Sequence, residues 1–88
     1  MPEISRFYGI IIRMFYGDHP PPHFHAVYQG EEVQINIETL AVMNGAMRRR
    51  ALVLVLEWAA LHRDELRQAW EQASHNQEPS KIQPLDSK

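Results

Sequence analysis

The chain has 88 residues, which is enough for one hydrophobic core and too few for two, so we predict a single domain. It contains no cysteine, which excludes disulfide bonds and thiolate zinc sites and fits a reducing cytoplasm. Its net charge of -2 argues against a broadly basic nucleic-acid-binding protein. The apolar run near the N-terminus, Ile10 to Ile12, is short, so we expect neither a signal peptide nor a membrane span and predict a cytoplasmic protein.

Four segments in the first half of the chain have the composition of β-strands. Ile10 to Tyr16 is dense in β-branched and aromatic residues, and His23 to Tyr28 follows it. Val33 to Ile37 alternates strictly between apolar and polar residues. Ala41 to Met43 can form a short fourth strand, which the turn signal Asn44-Gly45 is expected to end.

The second and third of these strands form a hairpin whose register follows from its two faces. With a two-residue turn at Gln29-Gly30, Phe24 lies opposite Ile35 and the apolar residues share one face. A slip by one residue breaks this segregation. The residues that share the polar face in this register are His23, His25, Gln34 and Asn36.

From about Met47 to Ser74, apolar residues recur at spacings of three and four, which predicts helix. One helix of this length spans ~42 Å at 1.5 Å per residue, about twice the length of a strand of ~6 residues. We therefore expect either a break near residues 62–64, where Asp64 caps a second helix, or an overhanging end. An overhanging end carries Leu66 and Trp70 and needs a partner, so these two residues are the predicted partner interface.

Together, the elements predict an α+β fold. We expect a small antiparallel sheet of three to four strands, with one long or two shorter C-terminal helices packed on one face. Residues 1–74 form the predicted domain. Residues 75–88 are polar and interrupted by proline, and we expect a frayed tail, with docking on the core through Ile82 and Leu85 as the alternative.

The stretch DHPPPHFHAVY at residues 18–28 carries three histidines. His23 and His25 lie on one side of a strand, so they can bind a divalent metal or act as acid and base on a substrate. The third metal ligand is His19 or Asp18. Extended polyproline geometry carries His19 about 12 Å from His23, unless a cis proline or a sharp turn reverses the chain. Solvent-exposed strand histidines are the third interpretation.

Arginines form a second candidate cluster. Arg48, Arg49 and Arg50 lie where the predicted helix begins, and their guanidinium groups and the free backbone amides there can bind phosphate. Pairing with Glu38 or with carboxylates of a partner is the alternative. Arg13, on the first predicted strand, joins the polar face or pairs with a glutamate. The predicted anion-binding or RNA-binding residues are Arg13, Gln34, Asn36, Arg48, Arg49 and Arg50.

Five segments of the chain resemble a family of small bacterial proteins catalogued as a domain of unknown function, number four-one-six-zero. They are ISRFYGIIIRM at 4–14, DHPPPHFHAVY at 18–28, INIET at 35–39, EWAALHRDEL at 57–66 and KIQPL at 81–85. Members are often encoded beside another small protein, in an arrangement similar to a toxin and antitoxin pair. The resemblance therefore implies a small cognate protein as partner and, by analogy with other short toxins, RNA cleavage.

Three functions follow from these patterns, and each is compatible with a homodimer. The first is a toxin-like ribonuclease, in which His23 and His25 are acid and base and the arginine triplet holds the phosphate. The second is a non-catalytic binding module, an antitoxin or regulator, that docks through Leu66 and Trp70. The third is a protein that binds a divalent metal through the histidine cluster.

Overall fold

The computed structural model describes residues 2–86, in which five strands precede two helices. The strands are β1 (Glu3–Phe7), β2 (Ile10–Arg13), β3 (His23–Tyr28), β4 (Glu31–Asn36) and β5 (Val42–Gly45), and the helices are α1 (Arg49–Leu61) and α2 (Arg63–Ser74). The strands form one antiparallel sheet in the order β1-β2-β3-β4-β5. This confirms the predicted α+β class, with one strand more than the predicted three to four.

The additional strand is β1, which was not predicted because polar residues interrupt its apolar ones. Tyr8 and Gly9 both have positive φ and return the chain directly into β2, as in the two-residue turns that match the twist of hairpin strands. A second difference is that β2 ends at Arg13, where the predicted strand continued to Tyr16. The residues after Arg13 instead begin the long connection to β3.

The predicted register of the β3–β4 hairpin is confirmed. Phe24 pairs with Ile35 across the hairpin, and both side chains are fully buried. Gln29 and Gly30 form the two-residue turn, again with positive φ at both positions. The same register places His23 opposite Asn36 and His25 opposite Gln34.

Strand β5 extends through the residues that were expected to end it. Asn44 and Gly45 pair with β4, and the register shifts between Gln34 and Ile35. A Cβ atom at Gly45 would lie 2.2 Å from the carbonyl oxygen of Glu32, so only glycine fits this close approach. The Asn-Gly pair therefore accompanies an irregular strand pairing and not a turn that ends the strand.

The helical region breaks at His62, which ends α1 and precedes α2. This is the first of the two predicted alternatives. Asp64 does not cap α2 as predicted, because the N-cap residue is His62 and no side chain closes the cap. Helix α1 begins at Arg49, two positions after the predicted start at Met47.

The core lies between one face of the sheet and the two helices. Trp58 of α1 is its largest buried side chain and contacts the rings of Phe7 and Phe24, at centroid distances of 5.4 and 5.8 Å. The other helix residues buried in this core are Ala51, Val55, Ala59, Leu66, Ala69 and Ala73. Neither helix of the described residues combines the length and apolar character needed to cross a membrane.

The segment after α2 returns along the edge strand β1. The Ile82 amide donates a hydrogen bond to the Ile4 carbonyl, and Trp58 Nε1 donates to the Gln83 carbonyl. Ile82 is buried and Leu85 packs against the core. Residue 1 of the predicted domain and residues 87–88 of the predicted tail lie outside the described residues.

Candidate metal centre

Asp18, His23 and His25 come together where the β2–β3 connection meets β3. The two histidines alternate with Phe24 along β3, so their rings leave the strand on the face opposite the core. Asp18 Oδ2 lies 3.0 Å from His23 Nε2 and 3.3 Å from His25 Nε2. One ligand atom from each of the three residues lies within 4.8 Å of the others.

The structure distinguishes between the two candidate third ligands, His19 and Asp18. The peptide bond between Pro20 and Pro21 is cis, and Asp18 lies against both rings of the histidine pair. The side chain of His19 is 93% exposed, and its backbone amide donates to Asp18 Oδ1. Of the two candidate third ligands, Asp18 is therefore at the cluster and His19 extends into solvent.

Both histidines of β3 are buried, with 3% of His23 and 6% of His25 exposed. The ring of Phe15 meets His25 edge-on at a centroid distance of 4.3 Å, and Trp70 of α2 lies 5.2 Å from His23. This corrects the interpretation of solvent-exposed strand histidines, because the connection and α2 cover them. Buried polar atoms are unfavourable unless each has a partner.

The Nδ1 atom of each ring has a defined acceptor. His23 Nδ1 lies 2.7 Å from the Pro21 carbonyl oxygen, and His25 Nδ1 lies 2.9 Å from Glu32 Oε2. A carbonyl and a carboxylate only accept hydrogen bonds, so each Nδ1 carries a proton and donates it. In a neutral imidazole the Nε2 atom then holds a lone pair. Both Nε2 atoms face the carboxylate of Asp18.

Three electron-rich atoms therefore face one another across one small space. This arrangement is unfavourable unless positive charge lies among them, supplied either by protons on the rings or by a metal ion. In metal sites, a ligating histidine commonly donates its other N–H to a carbonyl or a carboxylate, as both rings do here. Two imidazoles and one carboxylate are a donor set typical of zinc and non-haem iron sites with open positions.

Asp18 is ionised at neutral pH. Burial raises the pKa of its carboxyl, but hydrogen bonds from His25 and from the His19 amide, together with the charges of both rings of the pair, lower it more. The net effect is a pKa below the ordinary value of 3.8. The carboxylate is the form that binds a cation.

A family model described as "Domain of unknown function (DUF4160)" matches residues 9–71. The chain belongs to this family. The resemblance seen in the sequence is thereby confirmed, and the matched region contains Asp18, His23 and His25. No curated protein and no solved structure matches the chain. The description of DUF4160 states no activity, so function has to be inferred from the site.

The arginine triplet of this DUF4160 chain lies at the opposite end of the hairpin from the histidines. Arg48 donates to Glu31 Oε1 through its backbone amide and Nε, and to Gln29 Oε1 through Nη1. Its partner is thus Glu31 and not the expected Glu38, which binds Arg67. The triplet and the candidate metal centre are separate features of the fold.

Three other predicted anion-binding residues lie on the histidine side of the sheet. Arg13 and Gln34 pair with His25 from the two neighbouring strands, so their side chains share its face. The side chain of Asn36 accepts hydrogen bonds from the Glu38 and Thr39 amides, which stabilises the turn after β4. Asn36 therefore has a structural role, while Arg13 and Gln34 flank the site.

The predicted partner interface is mostly inside the protein. Leu66 is fully buried, and Trp70 is half-buried with its ring against His23. The break at His62 lets α2 fold onto the sheet, so no helix end overhangs. Leu66 offers no exposed surface to a partner in this structure.

Glu32 is the residue of the site that the sequence analysis missed. It lies on β4 opposite Val27, diagonally across the hairpin from His25 and on the same face. Long side chains reach such diagonal neighbours. The predicted register therefore already contained the signal, since an acidic residue two positions from the partner of His25 can reach its ring.

Proposed function

We propose that this protein binds one divalent transition-metal ion through Asp18 Oδ2, His23 Nε2 and His25 Nε2. The orientation of the two rings carries the proposal, because each Nδ1 donates to its own acceptor and each Nε2 lone pair faces the same carboxylate. A metal ion among these atoms supplies the positive charge that protons on the two rings would otherwise supply.

The donor set favours transition metals. Imidazole nitrogens suit Zn²⁺, Fe²⁺, Co²⁺ and Ni²⁺, whereas Mg²⁺ and Ca²⁺ prefer oxygen ligands alone. Among residues 2–86, three side chains converge at this point, one fewer than the four ligands of a closed structural zinc site. A bound ion would keep a position for water or a substrate oxygen, on which it acts as a Lewis acid.

The surrounding residues have defined roles in this proposal. The Pro21 carbonyl and Glu32 orient the rings of His23 and His25. Phe15 and Trp70 pack against the rings and exclude water from that side.

The test is a titration of protein purified without an affinity tag and first treated with a chelator. We expect calorimetry to show one Zn²⁺ per chain, and the visible spectrum of the Co²⁺ form to report nitrogen and oxygen ligands. Asp18→Ala and His25→Ala should each abolish tight binding. His19→Ala is the matched control and should bind like the wild type, because its side chain is exposed. Wild-type protein without a bound ion, or unchanged binding by Asp18→Ala, contradicts the proposal.

A second candidate is a metal-free ribonuclease of a toxin and antitoxin pair, acting in the cytoplasm. The two histidine rings support it, since their centroids are 5.3 Å apart and each Nε2 faces a shared carboxylate. Such a pair can hold and move a proton. The small cognate protein and the RNA belong to this proposal.

Induced expression separates the candidates. Growth arrest by the wild type but not by a His23→Ala/His25→Ala double variant, with RNA cleavage that persists in a chelator, favours the metal-free nuclease. Arrest and cleavage that a chelator abolishes favour a metal-dependent activity of the same site. Normal growth with both proteins, at equal expression, favours metal binding without a toxin role, or the non-catalytic binding module.

A further inference from the structure

From Ala51 to Leu61, helix α1 is apolar around most of its circumference, although a strip along one side remains exposed. Between Ala51 and Leu61, Glu57 is the single charged residue. Val53 is 52% exposed and Leu61 is 67% exposed. A helix that is apolar all round is normally buried on all sides. The exposed side of α1 therefore has a composition typical of a buried surface.

The outer face of α1 has a simple pattern of charge. At about 100° per residue, its exposed residues lie along one side of the helix. They are Arg49, Arg50, Val53, Glu57, Ala60 and Leu61. The basic residues stand at the N-terminal end and the acidic residue stands one turn beyond Val53. Within the described part of the chain, Arg49, Arg50 and Glu57 form no ion pair.

We propose that this outer face docks on the same face of a second copy, with the two α1 helices antiparallel about a twofold axis beside Val53. Arg50 lies three residues before Val53 and Glu57 lies four residues after it. An axis that passes between Val53 and Leu54 therefore sets each Arg50 level with Glu57 of the second copy. Val53 meets Val53 of the second copy between these two ion pairs. A parallel arrangement would instead set Arg50 beside Arg50. The charge order therefore selects an isologous, antiparallel dimer.

The surface beside α1 fits a second apolar helix. A cavity of about 880 Å³ opens along the helix. Its walls include Tyr8, Ile10, Tyr28, Val53 and Leu54. One wall is held in place, because the Arg48 guanidinium lies 5.3 Å above the Tyr28 ring and binds Glu31. In the antiparallel arrangement, the C-terminal half of the second copy's α1 passes this cavity, so its apolar side chains can enter without rearrangement of the wall.

The size of the surface sets the expected strength. Helix α1 has 13 residues and is therefore ~20 Å long at 1.5 Å per residue. A pair of such helices buries less than the roughly 800 Å² per partner of a standard stable interface. We therefore expect a dimer that dissociates on dilution, with a dissociation constant on the order of micromolar.

Sedimentation of the full chain over a wide range of concentration tests the dimer. Val53→Glu should weaken association by at least about tenfold, because it places two carboxylates at the twofold axis. Met43→Glu is the matched control, since Met43 is also an exposed apolar residue, at 39%, but lies on β5. Circular dichroism and thermal unfolding should show that both variants fold. A monomeric wild type, or a dimer weakened by Met43→Glu and not by Val53→Glu, overturns the proposal.

A charge exchange tests the register and the identity of the partner. Arg50→Glu and Glu57→Arg should each weaken self-association by about tenfold, because each replaces two ion pairs with two like-charge contacts. An equimolar mixture of the two variants should recover the wild-type association, since every acidic position then meets a basic one. A mixture as weak as either variant alone overturns the antiparallel register.

Discussion

Strand β3 buries residues on both of its faces, and the two faces are buried by different means. Phe24 and Ala26 enter the core, where helices and sheet pack around apolar side chains. His23 and His25 are buried on the other face, where carboxylates and a carbonyl surround their nitrogens. The core face is buried by apolar packing, and the histidine face is buried by polar contacts. If the proposed metal binding is correct, a substitution on the core face should mainly change stability, and one on the histidine face should mainly change ion binding.

The largest expected effect on stability is that of Phe24→Ala. Truncation of a fully buried phenylalanine that packs on Trp58 should lower the free energy of unfolding by about 3–5 kcal/mol. Urea unfolding measures this loss of free energy. If the variant folds, it should keep the stabilisation by Zn²⁺, because the metal ligands lie on the opposite face. Loss of the Zn²⁺ response in folded Phe24→Ala would show that the two faces are not independent.

His25→Ala, on the other face, should lose the stabilisation by Zn²⁺ that Phe24→Ala keeps. With Zn²⁺ at about 100 times its dissociation constant, the wild type gains about 2.7 kcal/mol of stability, and the variant should gain none. Thermal unfolding with and without Zn²⁺ measures this difference. His75→Ala is the control, since His75 is exposed and lies after α2. An equal gain by wild type and His25→Ala contradicts the proposed ligand set.

Glu32→Gln should have a smaller effect on the same face. The amide keeps an acceptor for His25 Nδ1 but removes the charge, so Zn²⁺ affinity should fall by about tenfold to a hundredfold. Calorimetric titration measures this change. Glu31→Gln is the matched control, because the neighbouring Glu31 binds Arg48 instead of a histidine. Equal affinities of Glu32→Gln and wild type would show that Glu32 does not support the site.

The smallest expected effect is a change in the stability of the metal-free protein at acid pH. The pKa of Asp18 is lower in the folded protein than its ordinary value of 3.8, so Asp18 stabilises the fold above that pH. This contribution should disappear as the pH falls through the folded-state pKa. The free energy of unfolding, measured in urea, should therefore be higher for the wild type than for Asp18→Asn, and this difference should disappear below about pH 3.8. A difference that stays constant across this pH range would contradict this role of Asp18.

The difference between the two faces of β3 also explains what could be predicted from the sequence. The alternation of apolar and polar residues determines the hairpin register, so the pairing of Phe24 with Ile35 and the shared face of both histidines were predicted correctly. The length of the helical region similarly predicted two alternatives, an overhanging end or a break near residues 62–64, and the break occurs at His62. Both are local rules of period and length.

The surroundings of the two histidines depend on contacts with segments outside the hairpin. The approach of Asp18 to the histidines follows the path of the β2–β3 connection, where Phe15 packs on His25. The covering of His23 by Trp70 depends on how α2 folds back. No period in the sequence encodes these two contacts. The sequence therefore identified the histidines and left Asp18 and His19 as alternative neighbours, and the fold decides for Asp18 and adds Phe15 and Trp70.

The candidate centre is almost contiguous in sequence, since residues 15–32 supply its ligands, both Nδ1 acceptors and the ring of Phe15. Closing a loop this short loses little chain entropy. A bound ion would thus act on a local segment early in folding, before α2 docks. Stopped-flow folding tests this order: Zn²⁺ should accelerate folding, and an effect on the unfolding rate alone would contradict it. The bound metal would then help to form the folding nucleus, in addition to occupying its site in the folded protein.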